Sequence, residues 1–144
     1  MKAENTTILK EICSYLLVLL FTYAGIIKLL DVEQFTFELS QSPLLPAFSV
    51  PLVAHLLPAA EVITALLLVF EKTRTWALYI SFFIMFIFTV YLIALVGLFD
   101  NVPCACGGIL GKISYPTHIM FNVFFTGVAL AGCLLDEKKI PQKA

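Results

Sequence analysis

The sequence predicts an all-α, polytopic membrane protein: a four-transmembrane-helix bundle forming a single domain over residues 1–144. Three observations predict it. Of the residues, 60% are hydrophobic and only 13% charged, where a soluble domain carries about 25% charged residues. The apolar residues come in long runs rather than at amphipathic spacing, and four runs have the length needed to cross a bilayer, about 20 residues each. Backbone in lipid must satisfy its own polar groups, so such segments are helices. The net charge of −1 leaves no basic footprint for nucleic acid. The lipid bilayer is the expected partner.

The first span runs from about Ile12 to Leu30, after a short tail of mixed charge that reads as a fraying helix start. Its apolar run is too long for a signal peptide and no small-x-small cleavage site follows, which predicts a retained helix. Cys13 reads as a buried free thiol behaving like a small hydrophobe. Ala24 and Gly25 would let another helix approach closely. Lys28 has two readings: a cation that snorkels to the interface, or one held near a dithiol or a quinone head group.

The first loop, about Asp31–Val50, is not an ordinary polar loop. Val32, Phe35 and Leu39 share one helical face, which predicts a short helix lying in the interface. Ser42-Pro43-Leu44-Leu45-Pro46 reads as a Pro-broken re-entry. The segment is either a lid over a site or a plain anchor. The second span, about Pro51 to Phe70, carries His55, Pro58 and Glu61. His55 reads as a satisfied interfacial histidine. Glu61 lies roughly 15 Å deeper than Pro51 at about 1.5 Å per residue, and an ionisable group at that depth is a functional candidate. On ideal helices Lys28 lies nearer the surface, so a pair between them needs a kink before Pro58 or a bridging water.

The third span, Trp76 to Phe99, has no charge, and its rings Phe82, Phe83, Phe86, Phe88 and Tyr91 occupy every face. They read as packing and lipid-facing residues. The fourth span, about His118 to Leu135, follows Ser114-Tyr115-Pro116-Thr117, where Ser114 or Thr117 suits an N-cap. His118 and Asn122 are four apart, on one face. His118 reads either as an interfacial residue meeting water or as a base for a nearby thiol, with Asn122 orienting it.

Between the third and fourth spans lies Val102-Pro103-Cys104-Ala105-Cys106-Gly107-Gly108. Three chemistries want two cysteines so placed. A disulfide between residues i and i+2 closes a small strained ring and oxidises a partner more readily than a structural bridge. The glycines permit unusual backbone angles and close approach. A metal site of Cys104, Cys106 and His118 has three ligands, whereas closed zinc sites take four at wider spacing. Two plain loop thiols or a static bridge are the third reading.

Charge distribution sets the expected orientation. Lys2, Lys10, Lys72, Arg74, Lys138, Lys139 and Lys143 fall on one side, and Lys28 and Lys112 on the other. The positive-inside rule then places both termini in the cytoplasm. Cys104 and Cys106 fall on the opposite, periplasmic side of a bacterial inner membrane, where disulfides persist.

Several segments together carry a family resemblance: Ala24-Gly25-Ile26-Ile27-Lys28-Leu29, Gln41-Ser42-Pro43-Leu44-Leu45, Glu61, Pro103-Cys104-Ala105-Cys106-Gly107-Gly108, and His118 with Phe121-Asn122. The chain resembles the MauE-like group within the broader DoxX-like membrane proteins, over about Tyr15 to Leu135. The resemblance implies a bundle similar in architecture to DsbB and the vitamin K epoxide reductases. It also implies a link with thiol redox and the maturation of periplasmic proteins, methylamine dehydrogenase among them. DsbB-like enzymes use Cys-x-x-Cys and a second outer pair. This chain has Cys-x-Cys and no second outer pair, so an external thioredoxin-fold partner would supply the other.

The expected function is a membrane thiol–disulfide redox protein. Cys104, Cys106 and His118 are its catalytic candidates, and Lys28, Glu61 and Asn122 its cofactor-binding candidates. A quinone is the possible acceptor, and a thioredoxin-fold or disulfide-containing client the protein partner. The rivals are a non-catalytic assembly factor and a metal-binding or transport module.

Overall fold

A computed structural model describes residues 1–100 and 114–137. Cys104, Cys106 and Lys112 lie outside the described residues. Five α-helices are described: α1 Lys2–Leu30, α2 Val32–Ser40, α3 Val50–Val69, α4 Glu71–Leu98 and α5 Tyr115–Glu137, with a 3-10 turn at Ala47–Ser49 leading into α3. All but α2 are long and apolar enough to cross a membrane. The protein is a multi-pass membrane protein built as a four-helix bundle. The expected spans are recovered within a few residues, with two exceptions. The tail expected to fray is the start of α1, which runs helically from Lys2 and carries Thr6 and Thr7 hydroxyls bonded to Ala3 O. Residues 71–75, which lie between the expected second and third spans, are already α4.

The spanning helices form a square in the order α3, α1, α5, α4, each packing on the two beside it. Leu17, Phe21, Leu68, Leu78 and Leu92 fill the interior together with small residues, while other large side chains such as Leu19, Phe83, Met120 and Phe124 face outward. Ala54, Ala77, Ser81 and Ala129 are fully buried. Lipid tails are as apolar as leucine, so helices associate through close packing of small residues rather than through hydrophobic exclusion. Buried hydroxyls bond back along their own helices, as in Ser81 Oγ to Ala77 O at 2.6 Å and Thr89 Oγ1 to Met85 O at 2.7 Å. Thr89 also meets Thr126 Oγ1 across the α4–α5 contact at 3.2 Å.

The end of the bundle that carries the termini is held by side chains. Lys10 pairs with Asp136, and Tyr79 donates to Glu137 at 2.7 Å. Only Phe70 separates α3 from α4. Thr73 and Arg74 turn back to donate to Leu67 O and Leu68 O, at 2.8 and 3.1 Å, satisfying carbonyls that the helix end leaves without intrahelical partners. Cys13 and Cys133 are buried near this end as free thiols, as expected for Cys13.

The opposite end holds the site, and a difference in helix length shapes it. Gly25 of α1 lies level with Pro58–Val62 of α3: a Cβ on Gly25 would stand 3.1 Å from Pro58 O and 2.7 Å from Val62 Cγ2. From that level α1 continues for five residues and α3 for about ten. At about 1.5 Å per residue, α1 ends roughly 7–8 Å short of the start of α3. Helix α2 fills the step. Its N-terminus is capped by Asp31, whose carboxylate accepts from Gln34 N at 3.0 Å. Its Phe35 and Leu39 pack on Val50 and Ala54 of α3. The face expected to be apolar is therefore the buried face, but it lies on the bundle rather than only on the membrane surface. The following loop is tied to α4 by Ser42 Oγ and Tyr91 OH, 2.5 Å apart.

The close α1–α3 approach makes a prediction. Gly25→Val should lower the thermal midpoint of the detergent-solubilised protein, at a cost of about 1–3 kcal/mol for overpacking. Leu19→Val, on the outward face of the same helix, should leave it within error of wild type.

Candidate functional site

Four side chains from three helices converge below the α2 lid. Lys28 comes from the last turn of α1, Glu61 from the middle of α3, and His118 and Asn122 from the first two turns of α5. They line one cleft with Leu20, Phe21, Ala24, Met85, Phe88 and Phe121, and about 40 Å³ of it is open to water-sized groups. That is room for a water or two. Every non-cysteine site residue expected from the sequence is in this cleft, and all four are buried.

Lys28 Nζ donates to Glu61 Oε1 at 2.6 Å. Both side chains are under 5% exposed. The contact is direct, with no intervening water, and Lys28 does not snorkel. The apparent mismatch in depth closes because α1 ends low: Gly25 is level with Glu61, and Lys28, about one turn above it, is near enough for its long side chain to reach down. The expected remedies, a kink before Pro58 or a bridging water, are not needed. Removing two charges from water is expensive, and a pair repays this only with good geometry. Here the lysine is further enclosed by rings. Its ammonium lies 5.6 Å from the Phe35 centroid and 5.4 Å from that of Phe88, within cation–π range. Glu61 is less completely satisfied. Its Oε2 is buried with no hydrogen-bond partner among the described residues.

His118 is 2% exposed, so the reading as an interfacial residue meeting water is corrected. Helix α5 starts early enough to carry it inward. His118 N donates to Ser114 O at 3.0 Å, and the Ser114 and Thr117 hydroxyls meet at 2.9 Å at the helix start. His55 is exposed, with Nδ1 2.8 Å from Pro51 O, and takes no part in the cleft.

Sequence reasoning missed the rings. Phe35 and Phe88 are the walls around the lysine, and Phe121 completes the α5 side. Among the five rings of the third span nothing in the sequence marks Phe88. Phe83 and Phe86 face outward, and only the neighbours decide which ring points inward.

The arrangement supplies a buried amine, a carboxyl group with one oxygen unbonded among the described residues, an imidazole and an amide within a largely apolar enclosure. Together they can donate and accept hydrogen bonds and hold or move a proton at Glu61 or His118. Among the described residues no group of His, Cys, Asp and Glu is placed to hold a metal.

The family model described as methylamine utilisation protein MauE matches residues 6–135. The chain belongs to the MauE family. No curated protein and no solved structure matches it. The match covers all four spanning helices of this MauE-family chain and every cleft residue.

The ion pair makes a prediction. Lys28→Met or Glu61→Leu alone leaves an uncompensated buried charge or requires it to be neutralised, at a cost of about 3 kcal/mol or more for a broken buried pair. The double variant Lys28→Met/Glu61→Leu should recover most of that loss. Thermal midpoints of the four proteins in one detergent check it, and additive losses would exclude a coupled pair.

Proposed function

We propose that this MauE-family protein is a membrane thiol–disulfide redox protein. Cys104 and Cys106 exchange electrons with a thioredoxin-fold or disulfide-containing protein on the periplasmic side, and the Lys28–Glu61–His118–Asn122 cleft serves that dithiol. The observation that carries the reading is the convergence of those four polar side chains in one buried cleft. Its position adds support. The cysteines belong to the connection between Leu98 and Tyr115, and both of those helix ends lie at the lid end of the bundle, where Tyr91 meets Ser42 and His118 lines the cleft. Polar groups are retained in a membrane bundle at a cost, and a functional role is the default explanation for them.

The chemistry balances as follows. A thiolate of the partner attacks the Cys104–Cys106 disulfide and forms a mixed disulfide as one of that pair's sulfurs leaves. The partner's second thiol then attacks the mixed disulfide and releases Cys104 and Cys106 as a dithiol. The partner loses two electrons, and its two protons pass to the Cys104 and Cys106 thiols. His118 is the group suited to accept a thiol proton, and Asn122 to orient it. A quinone-class molecule, when bound, supplies a sink for two electrons and two protons. Glu61 Oε2, without a hydrogen-bond partner among the described residues, can accept from the hydroxyl of the reduced head group, and Lys28 Nζ can donate to the carbonyl of the oxidised one. The family description points to proteins of methylamine utilisation as clients.

Gel-shift thiol alkylation in cells tests the reading, on a Cys13→Ser/Cys133→Ser background that removes the two buried thiols. Cys104 and Cys106 should be blocked until reduced. Cys104→Ser or Cys106→Ser should trap a partner in a mixed disulfide. Free labelling of both cysteines under all conditions would overturn the redox assignment and favour a non-catalytic assembly factor. His118→Ala should slow re-oxidation about tenfold or more, the lower range of a general-base effect.

A further inference from the structure

A second cavity lies beside the polar cleft, between the lid, α3 and α4. Leu39 and Leu45 of the lid, Val53 and Leu57 of α3, and Ile87 and Tyr91 of α4 line it, with about 170 Å³ of open space and no polar surface. Phe88 belongs to the walls of both cavities. On one side its ring stands over Lys28. On the other it closes the inner end of the apolar groove. Ile87, next in the chain, is half exposed on the outward face of α4, so the groove opens sideways to lipid. The Ser42–Tyr91 contact pins the lid across its upper rim.

We propose that this groove is the tail channel of a quinone-class, membrane-dissolved molecule whose head reaches Lys28 and Glu61, with Phe88 as the partition between them. This rests on the redox reading of the cleft and names the route by which its lipid-side ligand arrives. Two independent features argue for a two-part ligand. The polar cleft has an unsatisfied buried acceptor, Glu61 Oε2, next to a donor that is already held in place. The groove offers hydrocarbon alone, and it faces the phase in which such a molecule is dissolved. The closed cleft has room for a carbonyl or hydroxyl tip and not for a whole ring, so the head enters as Phe88 turns about its own side-chain bonds. Rotamer changes of that kind need no helix movement.

Leu39 and Leu45 of the lid roof this channel. Because the tail leaves lipid and not water on binding, the groove contributes through shape and contact rather than hydrophobic transfer. Filling the groove should therefore weaken binding even though it adds apolar surface.

The experiment uses the full chain in phosphatidylcholine nanodiscs and a decyl-tailed benzoquinone as probe. Bound quinone is measured by retention on immobilised discs, with empty discs as the blank. Leu57→Trp from α3 and Ile87→Trp from α4 fill the groove from opposite walls, each accompanied by its thermal midpoint. Each should weaken retention about tenfold, and Glu61→Leu should do so as well. Ile63→Trp, on an outward face of α3, should bind as wild type, and Phe88→Ala should retain the probe. Wild-type protein that retains no more quinone than empty discs would overturn the proposal, as would either well-folded groove variant binding normally. The thiol assay separates the two readings. Quinone binding that depends on the groove, in a protein whose Cys104 and Cys106 are never oxidised, would keep the channel and remove the redox assignment. Redox-cycling thiols without quinone retention would do the reverse.

Discussion

The contact on which the rest of this structure depends is the buried pair of Lys28 and Glu61. Within hydrocarbon neither group has water to turn to, so each must be placed where the other can reach it. That requirement sets the level at which α1 and α3 meet. Gly25, one turn below the lysine, is what lets the backbones come close enough. A Cβ there would stand 3.1 Å from the carbonyl oxygen of Pro58. Once α1 and α3 are matched at this level, α1 ends too low to cover the top of α3, and the amphipathic α2 takes its place. Pair, glycine and lid are thus consequences of one another.

The lid then defines the electrostatics of the site. Phe35 comes down over the ammonium from one side and Phe88 stands against it from the other. The rings keep water from the pair without offering it a competing acceptor. Glu61 is satisfied unevenly, with one oxygen bonded to Lys28 and the other without a partner among the described residues. The bundle's other end carries a second pair, Lys10 on the buried Asp136, with Tyr79 on Glu137 beside it at the exposed surface.

The lid end gathers Lys28, Glu61, His118 and Asn122 in one cleft, near the helix ends at Leu98 and Tyr115. Ionisable groups are costly to keep in a membrane bundle, so they are placed where another polar side chain can reach them.

Composition and the spacing of apolar runs determined by themselves that the chain is a helical membrane bundle, because lipid admits no other use of four such segments. The i, i+3, i+7 pattern of Val32, Phe35 and Leu39 determined that the first loop is helical and which face it buries. Intramembrane Glu61 and the His118–Asn122 spacing were legible as site candidates, because ionisable groups in lipid need a reason and residues four apart share a helix face. Only the tertiary structure decided that Lys28 turns inward, that it meets Glu61 directly, and that Phe88 rather than Phe83 or Phe86 walls the site. The physical reason is the same in each case. A lysine near a helix end can reach either water or a neighbour, and a ring on an apolar helix can face either lipid or core. The choice belongs to the relative height and rotation of packed helices, which no single helix carries in its own sequence.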